Sequence, residues 1–373
     1  MTERTLAASF DVAGVTLTLR AASVAEVRAV SRQLGLDPTE PEAAPDVVVE
    51  YAPALDPEGP LTHVELGRFG WTAGTFWLWR GLGGRRVRVT LDPAALDLPL
   101  RLRCERRGVG IPLLTQLLGT VTAAKGNVAV HAAAFELRGR NVLVTGWSDS
   151  GKTEAMLAAL DRGGRPIGDD IVYLDGATGR LRGLPVAVRL KAWHVEELPD
   201  VRRRAGGRRG LLLRAHGPSA WAARRVASGP GATAADHAMR KVATVLGRLL
   251  TASVPLDTVT GGVAAGGDGH ELHDVVLVTS STRTDVLVEP ADPRQVAARV
   301  QASLQEERAN LVHAYRQLRY AFPGARSELL DRVDERELAV LTRTFERVRA
   351  WHVDHPHPVG LAELGAALDR IVE

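Results

Sequence analysis

The sequence predicts an α/β (α+β) fold built around a mixed β-sheet, and three observations predict it. Residues 8–91 alternate apolar and polar side chains with the period of two that marks half-buried strands. Residues 141–161 form a pattern of strand, glycine-bounded loop and helix. From Asp292 onward, with Pro293 at the first helical position, the chain is predicted to be helical nearly to its end. We therefore expect a β-rich N-terminal module (1–107), a mixed-sheet core (108–290) and a helical C-terminal region (291–373).

Length, charge and cysteine content limit the classes of protein. The 373 residues provide ample core for two domains or one large one, and a net charge of +3 gives no overall field that favours nucleic acid. No apolar run reaches the roughly 18 residues that a membrane span needs. We expect no secretory signal, because no apolar region follows Glu3 and Arg4. Cys104 is the only cysteine, which excludes an internal disulfide and a multi-thiolate metal site. We expect a cytoplasmic protein with no nucleic-acid or membrane partner.

The N-terminal module is predicted to be a sheet with one helix. The helix is expected at Ala25–Leu34. The alternating segments predict strands at Val15–Leu19, Val47–Tyr51, His63–Leu66, Thr75–Trp79 and Val87–Leu91. Trp71, Trp77 and Trp79 favour packing within the sheet because aromatic side chains suit a pleated surface, with a ligand platform as the alternative.

The core is predicted to hold a mixed sheet. A helix within residues 108–124 leads to it. Strands are expected at Val128–Phe135, Asn141–Thr145, around Ile167, at Ile171–Leu174, Val275–Val278 and Val286–Val288, with a helix at Thr153–Asp161. A two-residue turn at Asp175–Gly176 would join antiparallel strands, which a purely parallel sheet does not contain.

The segments after residue 200 indicate structure and function less specifically. The arginine-rich stretch Val201–Gly210 reads as a loop or as a clamp for an anion, and Ala234–Ala252 as an amphipathic helix. The C-terminal helices are expected to break at Pro323–Gly324 and at residues 355–358. His355 and His357 are interpreted as part of a rigid loop because prolines flank them. The alternative is a metal cluster with the nearby His352, which is not favoured because no carboxylate or thiolate stands at metal-ligand spacing.

The loop Gly146–Thr153 carries the chemical signal. It fits the pattern G-x-x-x-x-G-K-[ST] without mismatch, which this composition would produce by chance roughly once in two or three hundred such chains. In such a loop the backbone N–H groups and the helix N-terminus hold phosphate oxygens. Lys152 would neutralise the β- and γ-phosphates of a nucleoside triphosphate, and the Thr153 hydroxyl would bind Mg²⁺.

Two aspartates and a histidine flank this loop. Asp169 and Asp170 follow 17 and 18 residues after Lys152, and adjacent side chains on an extended chain diverge. One carboxylate can therefore complete a Mg²⁺ shell while the other accepts a proton from a hydroxyl. His131, expected on the preceding strand, could orient that base or raise its pKa. The alternatives are a capped surface turn and a core histidine.

At this point the chain resembles the HPr kinase/phosphorylase-like serine kinases, whose core is similar to that of phosphoenolpyruvate carboxykinases. The resemblance is carried by His131, the loop GWSDSGKTE and the segment RGGRPIGDD. It implies a kinase that transfers the γ-phosphoryl group of ATP to a serine-type hydroxyl. By that resemblance Asp169 is the catalytic base supported by His131, Lys152 acts on the phosphates, and Thr153 with Asp170 binds Mg²⁺. The implied nucleotide-binding residues are Gly146, Ser148, Asp149, Ser150, Gly151, Lys152, Thr153 and Glu154.

The chain departs from the family pattern at two places. Asp149 stands where the family has glycine, and Leu181–Pro185 only partly resembles the signature for protein substrate and phosphorolysis. HPr as substrate and the reverse reaction are therefore not expected. Arg189 and Lys191 are candidates for holding the transferred phosphate, with packing or surface roles as the alternative.

The leading hypothesis is an ATP- and Mg²⁺-dependent kinase acting on a hydroxyl of a peptide, protein or small molecule. The alternatives are a nucleotide-binding regulatory protein without transfer chemistry, and a nucleotidyltransferase or ligase that uses the same loop. The long C-terminal helices could pack against a second copy of the chain, so a homo-oligomer is a further expectation.

Overall fold

A computed structural model describes residues 5–82, 85–184, 187–191, 198, 251–260, 269–357 and 359–373. Its strands are β1 (Leu6–Val12), β2 (Val15–Ala22), β3 (Val47–Ala52), β4 (Thr62–Glu65), β5 (Phe69–Thr72), β6 (Thr75–Leu82), β7 (Arg85–Leu91), β8 (Leu100–Glu105), β9 (Asn127–Val130), β10 (Ala132–Leu137), β11 (Arg140–Thr145), β12 (Arg165–Gly168), β13 (Val172–Asp175), β14 (Arg180–Gly183), β15 (Val188–Lys191), β16 (Thr251–Val254), β17 (His270–Glu271), β18 (Asp274–Ser281), β19 (Leu287–Pro290) and β20 (Arg349–Pro356). Its helices are α1 (Val24–Leu34), α2 (Leu114–Ala124), α3 (Lys152–Asp161), α4 (Leu256–Thr260), α5 (Pro293–Ala321), α6 (Glu328–Asp331), α7 (Val333–Phe345) and α8 (Leu361–Val372).

The chain divides into two compact units, and each is assembled from separate stretches of sequence. Unit 1 comprises Met1–Val130, Tyr173–Arg180 and Asp292–Arg347. Unit 2 comprises His131–Val172, Leu181–Ala291 and Val348–Glu373. The sequence instead predicts three contiguous segments, residues 1–107, 108–290 and 291–373.

Unit 1 contains an eight-stranded mixed sheet in the order β1-β2-β3-β8-β7-β6-β5-β4. Strands β2, β3 and β8 are parallel neighbours, and the remaining pairs are antiparallel. Helix α1 begins with a capping box in which Ser23 and Glu26 satisfy each other's backbone N–H groups. The rings of Trp77 and Trp79 stack with centroids 6.1 Å apart, and Trp77 is buried, so this pair packs on the sheet surface.

Unit 2 contains a six-stranded sheet in the order β12-β10-β11-β18-β20-β19. Strands β11, β18 and β20 are parallel neighbours. Strand β10 is antiparallel to both of its neighbours, β11 and β12, and β19 is antiparallel to β20. The predicted mixed α/β class is therefore confirmed. Helices α3 and α8 share one hydrophobic core with alternate side chains of these strands, among them Val276, Val278 and Val353.

Two local predictions in the core are wrong. Val128–Phe135 does not form one strand, because the backbone bends at His131 and separates β9 from β10. Strand β9 pairs with β13, whereas β10 pairs with β11 and β12, so the two halves belong to different sheets. The turn after β13 is longer than two residues, and the Asp175 carboxylate accepts hydrogen bonds from the backbone N–H groups of Ala177 and Thr178 within it.

The helical prediction for the C-terminal region is correct for α5, α7 and α8 and wrong for residues 349–354, and the predicted loop is wrong at His355 and Pro356. Those residues form β20, which lies between β18 and β19 in the sheet of unit 2. Pairing with strands distant in the sequence overrides local propensity here. The predicted loop Val201–Gly210 lies outside the described residues. So does nearly all of the predicted helix Ala234–Ala252, whose last two residues begin β16 instead.

Among the helices that the structure describes, none has the length and apolar character needed to cross a membrane.

Asp274 is a fully buried carboxylate at the start of β18, and it joins three adjacent strands. It accepts hydrogen bonds from Arg140 of β11 and Arg349 of β20, both at 2.7 Å, and from the Trp351 indole at 3.1 Å. Burial alone would raise the pKa of Asp274, but the hydrogen bonds from the two arginines and the indole outweigh burial and hold the pKa below its ordinary value. The cluster fixes the register of the parallel strands at their amino ends.

We expect Asp274→Asn to lower the free energy of unfolding by about 2–4 kcal/mol at pH 7, because it leaves two arginines without their buried counter-charge. Urea denaturation measures this loss. The lowered pKa places the wild-type advantage above the unfolded-state pKa near 3.8, and the advantage is lost as pH falls through the folded-state pKa. As a control, Asp285→Asn removes an exposed pair with Arg283 and should cost about 0.5 kcal/mol or less. Equal effects of the two substitutions would contradict a structural role for Asp274.

Candidate functional site

The candidate site is built around the glycine loop (residues 146–151), which connects the end of β11 to the start of α3. Gly146 has φ 156° and Gly151 has φ 105°, values that side chains with a Cβ rarely adopt. A Cβ on Gly146 would lie 2.4 Å from the Val278 carbonyl oxygen, and one on Gly151 would lie 2.6 Å from His355 Nε2. Both glycines are therefore required by close backbone packing as well as by conformation.

Asp149 also has a left-handed backbone, with φ 60°. Aspartate is among the few residues other than glycine that tolerate this conformation, because its short side chain can bond locally. The departure from the family's glycine at this position is thus compatible with the same loop conformation. The exposed carboxylate adds a negative charge to the loop.

The first turn of α3 presents donors without a side-chain cap. Gly151 is the N-cap residue and no side chain caps the turn, so N–H groups of the first turn are available to an anion. The buried Lys152 ammonium lies over the loop and donates to the carbonyl oxygens of Gly146 at 3.1 Å and Trp147 at 2.7 Å. The Ser150 hydroxyl is buried and has no hydrogen-bond partner among the described residues.

Asp169 is brought directly to the start of α3. Its side chain is buried, and both carboxylate oxygens lie 3.2 Å from the Thr153 hydroxyl. Burial raises the pKa of Asp169 to about 6, with a smaller contribution from the charge of Asp170. Hydrogen bonds from the Asp170 backbone and from Thr153 oppose this rise without cancelling it. A carboxyl with this pKa can exchange a proton near neutral pH.

Asp170 faces a different environment. Its φ of 71° is a left-handed value, so its side chain diverges from that of Asp169. Its carboxylate oxygens lie 3.6 Å from His131 Nε2 and 3.8 Å from the Arg189 guanidinium. Asp170 is therefore a half-exposed carboxylate between two basic side chains.

The structure thus brings together most residues that the sequence analysis selected. Thr153 meets Asp169, however, where the resemblance pairs it with Asp170 as a metal ligand. His131 lies in the bend between two strands and reaches Asp170, whereas the resemblance assigns it to Asp169. Ser148 is exposed in the loop and Glu154 is buried in the first turn of α3. The backbone of Lys191 pairs with Thr251, and its side chain lies outside the described residues.

His355 is a residue of this site that the sequence analysis did not select. Its Nε2 lies 2.8 Å from the Ser150 carbonyl oxygen, beneath the glycine loop. No local sequence pattern indicates this contact, because His355 is 205 residues from Ser150 in the chain. Only the parallel pairing of β20 with β18 brings the two together.

No protein-family model matches the chain, and a search of curated proteins found no match. The resemblance to HPr kinase-like proteins therefore rests on His131, the glycine loop with its helix, and the aspartate pair.

Because the Asp169 carboxyl is buried, we expect the free energy of unfolding to depend on pH. Its pKa is about 6 in the folded protein and 3.8 as an unperturbed carboxyl, so the folded state holds a proton that the unfolded chain has lost. The free energy of unfolding should therefore fall as pH rises from about 4 to about 6, by about 3 kcal/mol from this group. Asp169→Asn removes the buried charge, so the variant should be more stable than wild type at pH 7.5 and equal to it near pH 4.

Chemical denaturation in EDTA without nucleotide measures this difference. Asp161→Asn is the matched control, since Asp161 is exposed at the other end of α3; it should change stability by about 0.5 kcal/mol or less at either pH. A variant Asp169→Asn that is less stable than wild type at pH 7.5 would contradict the claim that burial of the ionised Asp169 carboxylate destabilises the folded protein. An effect that does not depend on pH would contradict it as well.

Proposed function

We propose that the protein is an ATP- and Mg²⁺-dependent kinase that transfers the γ-phosphoryl group to a hydroxyl of a peptide, protein or small molecule. The observation that carries the proposal is the contact between Asp169 and Thr153 at the start of α3. It places a buried carboxyl with a pKa of about 6 beside the turn that would hold the phosphates. An acid–base group next to an anion site is the minimum that hydroxyl phosphorylation requires.

The glycine loop fits a phosphate chain. Its two glycines leave the backbone without side-chain cover where it bends, and the uncapped first turn of α3 offers N–H donors and the positive end of the helix. Lys152 is placed at the loop, where its ammonium now satisfies carbonyl oxygens that phosphate oxygens could replace. The Ser150 hydroxyl, which has no hydrogen-bond partner in the part of the chain that the structure describes, adds a further buried polar group to the loop.

The donor set also fits a magnesium ion. Mg²⁺ prefers oxygen ligands and retains several waters. The Thr153 hydroxyl contacts the Asp169 carboxylate, and Asp170 is the next residue in the chain. Thr153 and Asp170 would hold the ion by the family resemblance. When bound, Mg²⁺ neutralises charge on the phosphate oxygens.

Each residue of the site would then have a separate role in phosphoryl transfer. Asp169 accepts the proton of the acceptor hydroxyl as that oxygen forms a bond to the γ-phosphorus. The bond from the γ-phosphorus to the bridging oxygen breaks, and ADP leaves with the charge of that oxygen held by Lys152 and the loop N–H groups. His131 holds the position of Asp170 through their contact.

Arg189 is the residue on the acceptor side. It is 72% exposed on β15, with Asp170 as its counter-charge at 3.8 Å. An exposed guanidinium can reach an anionic group of the acceptor or the transferred phosphoryl group. We propose this role for Arg189, and for Lys191 on the same strand.

We expect Asp169→Asn to lower phosphoryl transfer by about 10²–10⁴-fold, because the acceptor loses its base. ATP affinity should be retained, since the amide is isosteric and removes a negative charge near the phosphates. Asp170→Asn should instead raise the Mg²⁺ concentration needed for half-maximal rate. The assay follows ADP and phosphorylated product with an acceptor panel of free serine, serine-containing peptides and small alcohols.

Asp161→Asn is the control and should match wild type. An Asp169→Asn protein as active as wild type would contradict the base assignment. Tight ATP binding without turnover on any acceptor would favour a regulatory nucleotide-binding protein. Release of AMP and pyrophosphate would favour nucleotidyl transfer.

A further inference from the structure

The sheet of unit 1 carries a cleft that the proposed transfer step does not use. Its volume is about 370 Å³, and it lies between residues 56–61, the turn that joins β4 to β5, and strands β6 and β7. On the opposite face of the sheet, Phe76 of β6 stacks with Phe69, which contacts His313 of α5. Because successive side chains of a strand alternate between faces, Trp77 and Trp79 of β6 line the cleft.

The inner wall of the cleft is aromatic. The rings of Trp77 and Trp79 stack at an interplanar angle of 16°, and the centroid of the His63 ring of β4 lies 6.0 Å from that of Trp79. The Trp79 ring lies over Gly70 of β5, where a Cβ would be 3.3 Å from its Cη2 atom. Trp77 is buried, whereas Trp79 is partly exposed and His63 is exposed. An aromatic side chain of a ligand can therefore pack against Trp79 and His63.

The apolar surface continues beyond the cavity at Leu66. This side chain lies in the turn between β4 and β5, lines the cleft and is 84% exposed. Exposed apolar surface beside a cavity is typical of interaction sites. Ligand pockets usually measure roughly 300–1,000 Å³, so this cavity has room for one or two side chains. A ligand that fills it and also covers Leu66 must extend beyond it, as a peptide segment does and a free amino acid does not.

Arg86 and Arg88 of β7 make the cleft basic, but only Arg88 is balanced by acidic side chains. Arg88 donates to the Asp56 carboxylate at 2.7 Å and lies 4.0 Å from the buried Glu105 carboxylate. Arg86 is exposed, and its guanidinium donates to the Gly67 carbonyl oxygen in the β4–β5 turn. Within the described part of the chain, no carboxylate forms an ion pair with Arg86. A carboxylate of a ligand would supply that counter-charge through charge-assisted hydrogen bonds.

We propose that this cleft binds an extended peptide segment in which an aromatic residue stands next to an aspartate or glutamate. The aromatic side chain packs against Trp79 and His63, the carboxylate pairs with Arg86, and a neighbouring apolar residue covers Leu66. The inference goes beyond the proposed function, because binding in the cleft requires neither nucleotide nor phosphoryl transfer.

The charges of the cleft favour a peptide over single-stranded nucleic acid, which also stacks on aromatic side chains. Nucleic acid needs a positively charged groove that follows its phosphates. In the cleft, the charge of Arg88 is offset by Asp56 and Glu105, so that only Arg86 remains without a counter-charge among the described residues. One unbalanced guanidinium suits one carboxylate.

A random dodecapeptide phage library, panned on the full-length protein without nucleotide, tests the inference. Bound peptides should be enriched in an aromatic residue next to an aspartate or glutamate. The most enriched sequence is then synthesised with a fluorescent label, and fluorescence anisotropy gives its Kd for wild type and for each variant. Circular dichroism verifies that each variant is folded.

Three substitutions in the cleft should weaken binding of the synthesised peptide. Trp79→Leu should raise Kd about three- to tenfold, because the aromatic contact is lost. Leu66→Ser should raise Kd about tenfold through lost apolar burial, and the high exposure of Leu66 leaves the fold unaffected. Arg86→Gln should also raise Kd about tenfold, since it removes a charge-assisted hydrogen bond. Leu338→Ser is the matched control, because Leu338 is a partly exposed leucine of α7 that does not line the cleft; it should bind as wild type.

A second peptide, with asparagine or glutamine in place of its acidic residue, tests the pairing with Arg86. It should bind wild type about tenfold more weakly than the acidic peptide, and Arg86→Gln should bind both peptides equally. Losses that simply add would show that the carboxylate and Arg86 do not interact, which would overturn the inference.

A library without enrichment, or one enriched in basic sequences, would overturn the inference as well. So would peptides that Leu66→Ser binds as tightly as wild type does. A ten-nucleotide oligouridylate that binds wild type and loses affinity in the same three variants would assign the cleft to nucleic acid instead. A protein that binds the peptide through the cleft but phosphorylates no acceptor would contradict only the proposed function.

Discussion

The parallel alignment of β11, β18 and β20 is the constraint on which the candidate site depends. Parallel strands end at the same edge of a sheet, and in open α/β sheets that edge is where ligands bind. At this edge the glycine loop begins at the end of β11. The Val278 carbonyl of β18 packs closely against Gly146, and the His355 ring of β20 contacts the Ser150 carbonyl oxygen. At the opposite ends of the same strands, Asp274 binds Arg140 and Arg349. The charge cluster at one end of these strands and the glycine loop at the other therefore depend on the same strand register.

Asp169 and Asp170 lie in different environments because the backbone of Asp170 is left-handed. The left-handed conformation of Asp170 turns its side chain towards His131 and Arg189, while Asp169 points inward to Thr153. Burial then raises the pKa of Asp169, whereas Asp170 stays half exposed beside basic groups. Separate roles for neighbouring carboxyls follow from separate surroundings, which is how sites with paired carboxyls usually work.

Local features of the fold and site could be predicted from the sequence. The alternation in the N-terminal module predicts its strands, and the glycine pattern places the loop between β11 and α3. The pairing of Thr153 with Asp169 could not be predicted, because it depends on the left-handed φ of Asp170. The proximity of His355 to the loop could not be predicted either. It requires β20 to enter the sheet between β18 and β19, and pairing over such separations leaves only a weak local signal.

The central claim is that the glycine loop holds the phosphates of a nucleoside triphosphate with Asp169 beside the γ-phosphate. The most direct measurement is a crystal structure with Mg²⁺ and β,γ-imido-ATP. It should show phosphate oxygens on the N–H groups of the loop and of the first turn of α3, with the Lys152 ammonium moved from the carbonyls of Gly146 and Trp147 to the phosphates. The Asp169 carboxylate should lie on the side of the γ-phosphate from which the acceptor hydroxyl would attack, opposite the bridging oxygen. Phosphates bound elsewhere, or a loop that stays empty at saturating nucleotide, would contradict the account.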